Sequence, residues 1–126
     1  MEVKNCNLVK TPCCKETDTV HKIASDLKKS KQRSILVTHN SRPIGIISAV
    51  DIVNKVVASG KSPKATKAKD IMNKVCTIDA KENVATAYFA MAKKGFMSCP
   101  VVDNNRYVGT LQLHEAIRYI TQKSKQ

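Results

Sequence analysis

Ser48-Ala49-Val50-Asp51 places a hydroxyl and a carboxylate three residues apart, just ahead of a stretch with helical apolar spacing. That arrangement can do two different things. As a capping box, Ser48 accepts from the backbone N–H of residue 51 while the acid reaches back to the N–H of residue 48. As a ligand site, an ionised carboxylate accepts hydrogen bonds from two vicinal hydroxyls, and the free N–H groups at a helix start favour a phosphate. The residues alone leave both readings open. No nucleophile–base pair, GxxxxGK[ST] loop or HExxH helix accompanies the pair, so no catalytic machinery is expected and the chain reads as a non-enzyme. His21, Lys22, Arg33, His39, Arg42 and His114 stand outside any constellation and read as solvated surface. The five cysteines, Cys6, Cys13, Cys14, Cys76 and Cys99, form no CxxC and no zinc-type Cys/His spacing. Neither a metal nor a cofactor is expected.

The elements that must position this pair occur twice. Sliding the chain on itself by 64 residues, without gaps, sets Lys10, Val20, Lys29, Ser34, Val37, Asn40, Arg42 and Gly45 on Lys74, Val84, Lys93, Ser98, Val101, Asn104, Arg106 and Gly109. Each copy reads as an entry strand, a helix, two strands and a second helix. Val20, Ile23, Ala24 and Leu27, and again Val84, Ala87, Tyr88 and Met91, have the spacing of a half-buried helix. Ile35–Val37 and Ile44–Ile47, divided by Asn40-Ser41, predict a hairpin, as do Pro100–Val102 and Val108–Leu111 around Asp103-Asn104-Asn105. The second helices, over 49–58 and 113–121, carry stripes of Ala49, Ile52, Val53 and Val56 and of Leu113, Ala116, Ile117 and Ile120, with Gly60 as the stop after the first. The copies span residues 6–59 and 70–122, joined by a basic linker over 60–69 that Pro63 interrupts. Neither copy would bury a satisfactory core alone, so one single-module α+β globule with pseudo-twofold symmetry is expected.

Composition narrows the partners. The 126 residues carry 22 Lys+Arg against 10 Asp+Glu, a net charge of +12, which invites an anionic partner: a phosphorylated small molecule, a nucleic acid or an anionic surface. The cations are mostly lysine, whereas sequence-reading surfaces lean on the bidentate fork of arginine. The aromatics Tyr88, Phe89, Phe96, Tyr107 and Tyr119 do not interleave with basic residues as a base-stacking platform requires. A nucleic-acid-associated protein is therefore the second choice. With no long apolar run and no signal-like N-terminus, a cytoplasmic chain without a membrane span is expected.

Gly45-Ile46-Ile47-Ser48-Ala49-Val50-Asp51-Ile52 resembles the segment that closes a CBS motif. Lys69-Asp70-Ile71-Met72 resembles the entry of a second motif, and Cys99-Pro100-Val101-Val102-Asp103 its central strand and turn. Over nearly its whole length the chain is similar to a stand-alone tandem CBS pair, a Bateman module. The resemblance implies two β-α-β-β-α motifs packed through their sheets, leaving clefts for adenosine-containing ligands such as AMP, ADP, ATP or S-adenosylmethionine. It implies that Asp51 holds the ribose hydroxyls and Ser48 lies near the ribose or phosphate. It further implies that Val75, Cys76 and Thr77 present backbone groups to the base and that Phe96, Met97 and Ser98 flank it. Phe96 and Met97 suit a purine face, though core residues at a strand entrance would look the same. Copy two departs from the pattern, with Gln112 and Glu115 where Ser/Thr and Asp are expected. Gln is a poor N-cap and the longer Glu would crowd the ribose, so one good site and one degraded site are expected.

The family reading makes the chain a sensor that passes a ligand's state to a regulated protein, the alternative being a scaffold with empty clefts. Tandem CBS pairs commonly meet through their helices, so a homodimer is expected. Phe89 lies about 100° around its helix from Tyr88, and Tyr119 is similarly off its stripe, which makes these two residues the expected contact.

Overall fold

The structure is a computed structural model and describes residues 1–124. The architecture is α+β and falls into two compact units, each with a three-stranded sheet.

The first unit, Thr11–Val75, is built on β1 (Cys13–Lys15), β2 (Ser34–His39) and β3 (Arg42–Ser48). β1 runs parallel to β2, and β2 pairs antiparallel with β3 from Ser34↔Ser48 to His39↔Arg42. The hairpin closes through Asn40 and Ser41 at φ of 50° and 67°, the pair of left-handed residues that a tight two-residue turn demands. α1 (Val20–Ser30) follows β1, and its first turn is capped by the Thr19 hydroxyl, which accepts from the Lys22 N–H at 3.2 Å. Val20, Ile23 and Leu27 are buried with Ile35, Val37, Ile47 and Val56 in the unit's core, whereas Ala24 is exposed at the edge of the predicted stripe.

α2 (Ala49–Ile52) passes directly into a π-helical turn, Val53–Val57. The wider i→i+5 turn shifts the residues that face the core away from 3.6-residue spacing. The stripe predicted for this helix is corrected: Val56 is fully buried and Ile52 packs on the core, but Ala49, ahead of the π turn, and Val53, at its start, face solvent. Gly60, at φ 71°, ends the segment, with Lys61 N–H donating to the Val56 carbonyl at 2.9 Å across it. The stretch that follows, read from sequence as a polar linker, is partly core. Thr66 and Ala68 are buried, the Thr66 carbonyl accepts from Val20 N–H, and α3 (Ala68–Ile71) adds Ile71 to the cluster.

The second unit combines Met1–Lys10 with the chain from Cys76 onward. Here β4 (Ile78–Asp79) runs parallel to β5 (Ser98–Asp103), and β5 pairs antiparallel with β6 (Arg106–Gln112) through Asn104 and Asn105, again both at positive φ. α4 (Val84–Lys94) is capped by the Asn83 side chain and stopped by Gly95 at φ 74°. α5 (Leu113–Ser124) buries Ala116, with Leu113, Tyr119 and Ile120 packed on the core, while Ile117 is largely exposed. Tyr119 therefore covers its own unit, which corrects its expected role as an outward contact. Phe89 on α4 does project outward, with 67% of its surface exposed.

In both units a segment distant in sequence lies across the last strand at a glycine, following that strand in the first unit and preceding it in the second. Val9 exchanges backbone hydrogen bonds with Thr110 at 3.0 and 2.7 Å, and Asn73 exchanges two with Ile46 at 2.9 Å each. These residues are 64 apart, so the repeat reaches further upstream than the identities at Lys10 and Lys74 show. The glycines are required by proximity. A Cβ on Gly109 would lie 2.7 Å from Leu8 Cβ, and one on Gly45 would lie 2.6 Å from Met72 Sδ and 3.0 Å from the Asn73 carbonyl oxygen. Residues 1–10 are thus to the second unit what 68–75 are to the first, and Val3 is fully buried there.

Candidate functional site

Ser48 ends β3 in extended conformation, and its hydroxyl accepts from Asp51 N–H at 3.2 Å. The Asp51 Oδ2 returns the interaction, accepting from Ser48 N–H at 2.8 Å and from the Ser48 hydroxyl at 3.0 Å. A capping box is therefore formed. A third donor, the Asn73 side-chain amide, reaches the same oxygen at 2.8 Å. Lys55, one turn on, sets its ammonium 3.6 Å from Asp51 Oδ1 and donates to Asn73 Oδ1 at 2.8 Å and to the Ile71 carbonyl at 2.9 Å. The π turn carries Lys55, and the backbone pairing of Asn73 with Ile46 holds the amide in place.

Electrostatically the carboxylate is well supported. Burial works to raise the Asp51 pKa, but the donors from Ser48, the Asn73 amide and the Lys55 ammonium outweigh it and hold the group below the ordinary carboxylate value. Asp51 is ionised at neutral pH and fixed in orientation, with Oδ2 accepting from three internal donors and Oδ1 facing the Lys55 ammonium at 3.6 Å. Sequence reading did not single out Asn73 or Lys55. Lys55 was visible as the i+4 cation to Asp51, and Asn73 directly follows the Lys69–Met72 motif.

The corresponding place in the second unit is built differently. Glu115 pairs with Arg118, whose guanidinium donates to both carboxylate oxygens and holds the Glu115 carboxyl below its ordinary value. Val9 and Tyr119 stand where the first unit has Asn73 and Lys55, so neither donor has a counterpart. The two acids at equivalent positions thus face different partners.

The remaining predicted residues divide between the units. Val75 closes the first and is partly buried. Cys76 and Thr77 are exposed at the start of the second unit's main chain segment. Phe96, Met97 and Ser98 lead into β5, with Met97 being 74% exposed and its carbonyl accepting from Leu113 N–H at 2.9 Å. Ser98 pairs across the sheet with Gln112. Cys76, Thr77 and Phe96 meet Ile78, Met91, Lys94 and Cys99 around one open, mostly apolar hollow. Among the described residues no helix is long and apolar enough to cross a membrane.

Known proteins give this geometry a context. The family model for the CBS domain matches residues 3–58 and again 68–122. An uncharacterized protein of Methanopyrus kandleri is 33% identical over 105 residues, covering 81% of this chain and 54% of that protein. The mitochondrial CBS domain-containing protein CBSX3 of Arabidopsis thaliana is 24% identical over 119 residues, covering 90% of this chain and 58% of its own length. The chain thus spans little more than half the length of these two relatives. Among solved structures, Hypoxic Response Protein I with two coordinated zinc ions superposes at a TM-score of 0.81 with 20% identity, covering 94% of this chain and 98% of that one. A CBS domain protein of Pyrobaculum aerophilum complexed with AMP superposes at 0.75 with 23% identity, covering 91% and 89%. At these identities the likeness speaks for the fold alone.

Proposed function

Because the chain belongs to the CBS-domain family and carries the domain twice, we propose that it is a regulatory module that senses an adenosine-containing ligand, an adenine nucleotide or a molecule like S-adenosylmethionine, with Asp51 as the ribose anchor. The observation that carries this reading is the Asp51 carboxylate: ionised, oriented by three donors on Oδ2, and with Oδ1 held only by the longer 3.6 Å ion pair to Lys55. An anchored anion is what a vicinal diol needs, because the acceptor is placed before the ligand arrives and little ordering remains to be done on binding. Structural neighbours complexed with AMP and with ATP support the ligand class. Glu115, already engaged by Arg118, would have to give up two hydrogen bonds to serve the same purpose, so the second position contributes little.

The reading is tested by thermal unfolding with AMP, ADP, ATP and S-adenosylmethionine. A ligand that binds only the folded chain stabilises it in proportion to the logarithm of its concentration over Kd. At least one of the four is expected to raise Tm progressively with concentration. No shift from any of them at millimolar concentration would count against the reading.

The module is further proposed to act as a homodimer that meets through α4. Phe89 presents an exposed ring on that helix, apolar surface that a twofold contact through α4 would cover. Light scattering of wild type at tens of micromolar is expected to give a dimer mass and Phe89→Asp a monomer, since the substitution would bury an unpaired charge. A wild-type monomer, or a Phe89→Asp protein that remains dimeric, would remove this contact.

A further inference from the structure

We propose that Cys76 and Cys99 form a peroxide-sensitive thiol pair, in which Cys76 is oxidised first and Cys99 resolves it to a disulfide. Both residues lie in the second unit and line the same hollow. They differ in accessibility: Cys76 is exposed, whereas Cys99 on β5 is 3% exposed. They are also in direct contact, since the Cys99 thiol donates to the Cys76 carbonyl at 3.1 Å. A cation completes the group. The Lys94 ammonium lies 3.9 Å from the Cys76 sulfur, where it can donate to a sulfur anion, the form that attacks a peroxide.

These differences set an order of events. Burial, with a smaller contribution from the Cys76 sulfur, pushes the Cys99 thiol up to about 11, so it stays protonated at neutral pH while Cys76 meets the oxidant. The Cys76 thiolate attacks one oxygen of hydrogen peroxide, the O–O bond breaks, hydroxide leaves and Cys76 becomes a sulfenic acid. The Cys99 sulfur then attacks the Cys76 sulfur. The S–O bond breaks, and the departing hydroxide takes the Cys99 proton and leaves as water. Two thiols have lost two electrons, and one peroxide has been reduced to two waters. Main-chain proximity favours closure, because the Cys99 sulfur already touches the backbone of its partner residue.

The test uses the full reduced chain treated with equimolar hydrogen peroxide, alkylated and digested with trypsin. Cys76 and Cys99 fall in separate peptides, 75–81 and 95–106, each with one cysteine. The expected product is these two peptides joined, about 2 Da lighter than their sum. In Cys99→Ser the oxidation should stop at a Cys76 sulfenic acid that dimedone traps, and Lys94→Met should slow Cys76 oxidation severalfold. Wild type that accumulates Cys76 sulfinic acid beside unmodified Cys99, or that consumes Cys13 before Cys76, would overturn the proposal.

Discussion

Gly109→Ala is expected to lower the unfolding free energy by about 1–3 kcal/mol, the usual cost of overpacking a well-filled site. The new methyl would stand 2.7 Å from Leu8 Cβ, against the 3.5–4.0 Å at which carbon atoms attract. A Cβ cannot swing aside as a side-chain end does, so the backbone at Leu8 has to move. Movement there strains the paired hydrogen bonds between Val9 and Thr110 and lifts residues 1–10 from a unit in which they supply the fully buried Val3. Gly45→Ala should cost less, because its closest neighbour is the flexible Met72 thioether, though the Asn73 carbonyl at 3.0 Å must also give. Urea unfolding of the two variants checks the order. Equal stability of Gly109→Ala and wild type would show that the upstream segment does not depend on close approach at that glycine.

The second large effect is expected at Asp51. Asp51→Ala should destabilise the chain by about 2–3 kcal/mol in the absence of any ligand, because it removes the N3 half of a capping box and leaves the Ser48 N–H and the Asn73 amide without their acceptor. Asp51→Asn, which keeps an acceptor oxygen in place, should cost about 1 kcal/mol. The sign of the pH dependence follows from the lowered folded pKa. The stabilisation is complete above the ordinary carboxylate pKa of about 4, and it is lost as pH falls from there through the lower folded value. Acid unfolding of Asp51→Asn should therefore lack that part of the slope. A variant with the same acid profile as wild type would mean that the donors around Asp51 do not hold its charge.

What the sequence made legible is what short-range physics writes into it. Asn40-Ser41 and Asn104-Asn105 between apolar runs announce two-residue turns, and Val20, Ile23 and Leu27 announce a buried helix face. Ser48 and Asp51 were found because a capping box is local. The π turn was not, since Val53 and Val56 fit ordinary helical spacing and only the packing of the finished unit selects the wider turn. Residues 1–10 also escaped notice as part of the second unit: Leu8 and Val9 share no identity with Met72 and Asn73, and their role lies in a long-range pairing. The one local trace was a glycine inside each final strand, which marks a close approach of another backbone. Asn73 belongs to the same class. It joins Asp51 from a distant segment, which no periodicity reports, whereas Lys55 stands at the i+4 position and carried a local signal.

Asp51 is the proposed ribose anchor, and a calorimetric titration of AMP into wild type, Asp51→Asn and Glu115→Gln tests that role most directly. A hydrogen bond to a charged acceptor contributes about 1.5–3 kcal/mol, so Asp51→Asn, which folds and keeps its shape but loses the charge, should bind AMP at least about tenfold more weakly. Glu115→Gln should bind as wild type does. Unchanged affinity in Asp51→Asn, or a loss of binding confined to Glu115→Gln, would contradict the assignment.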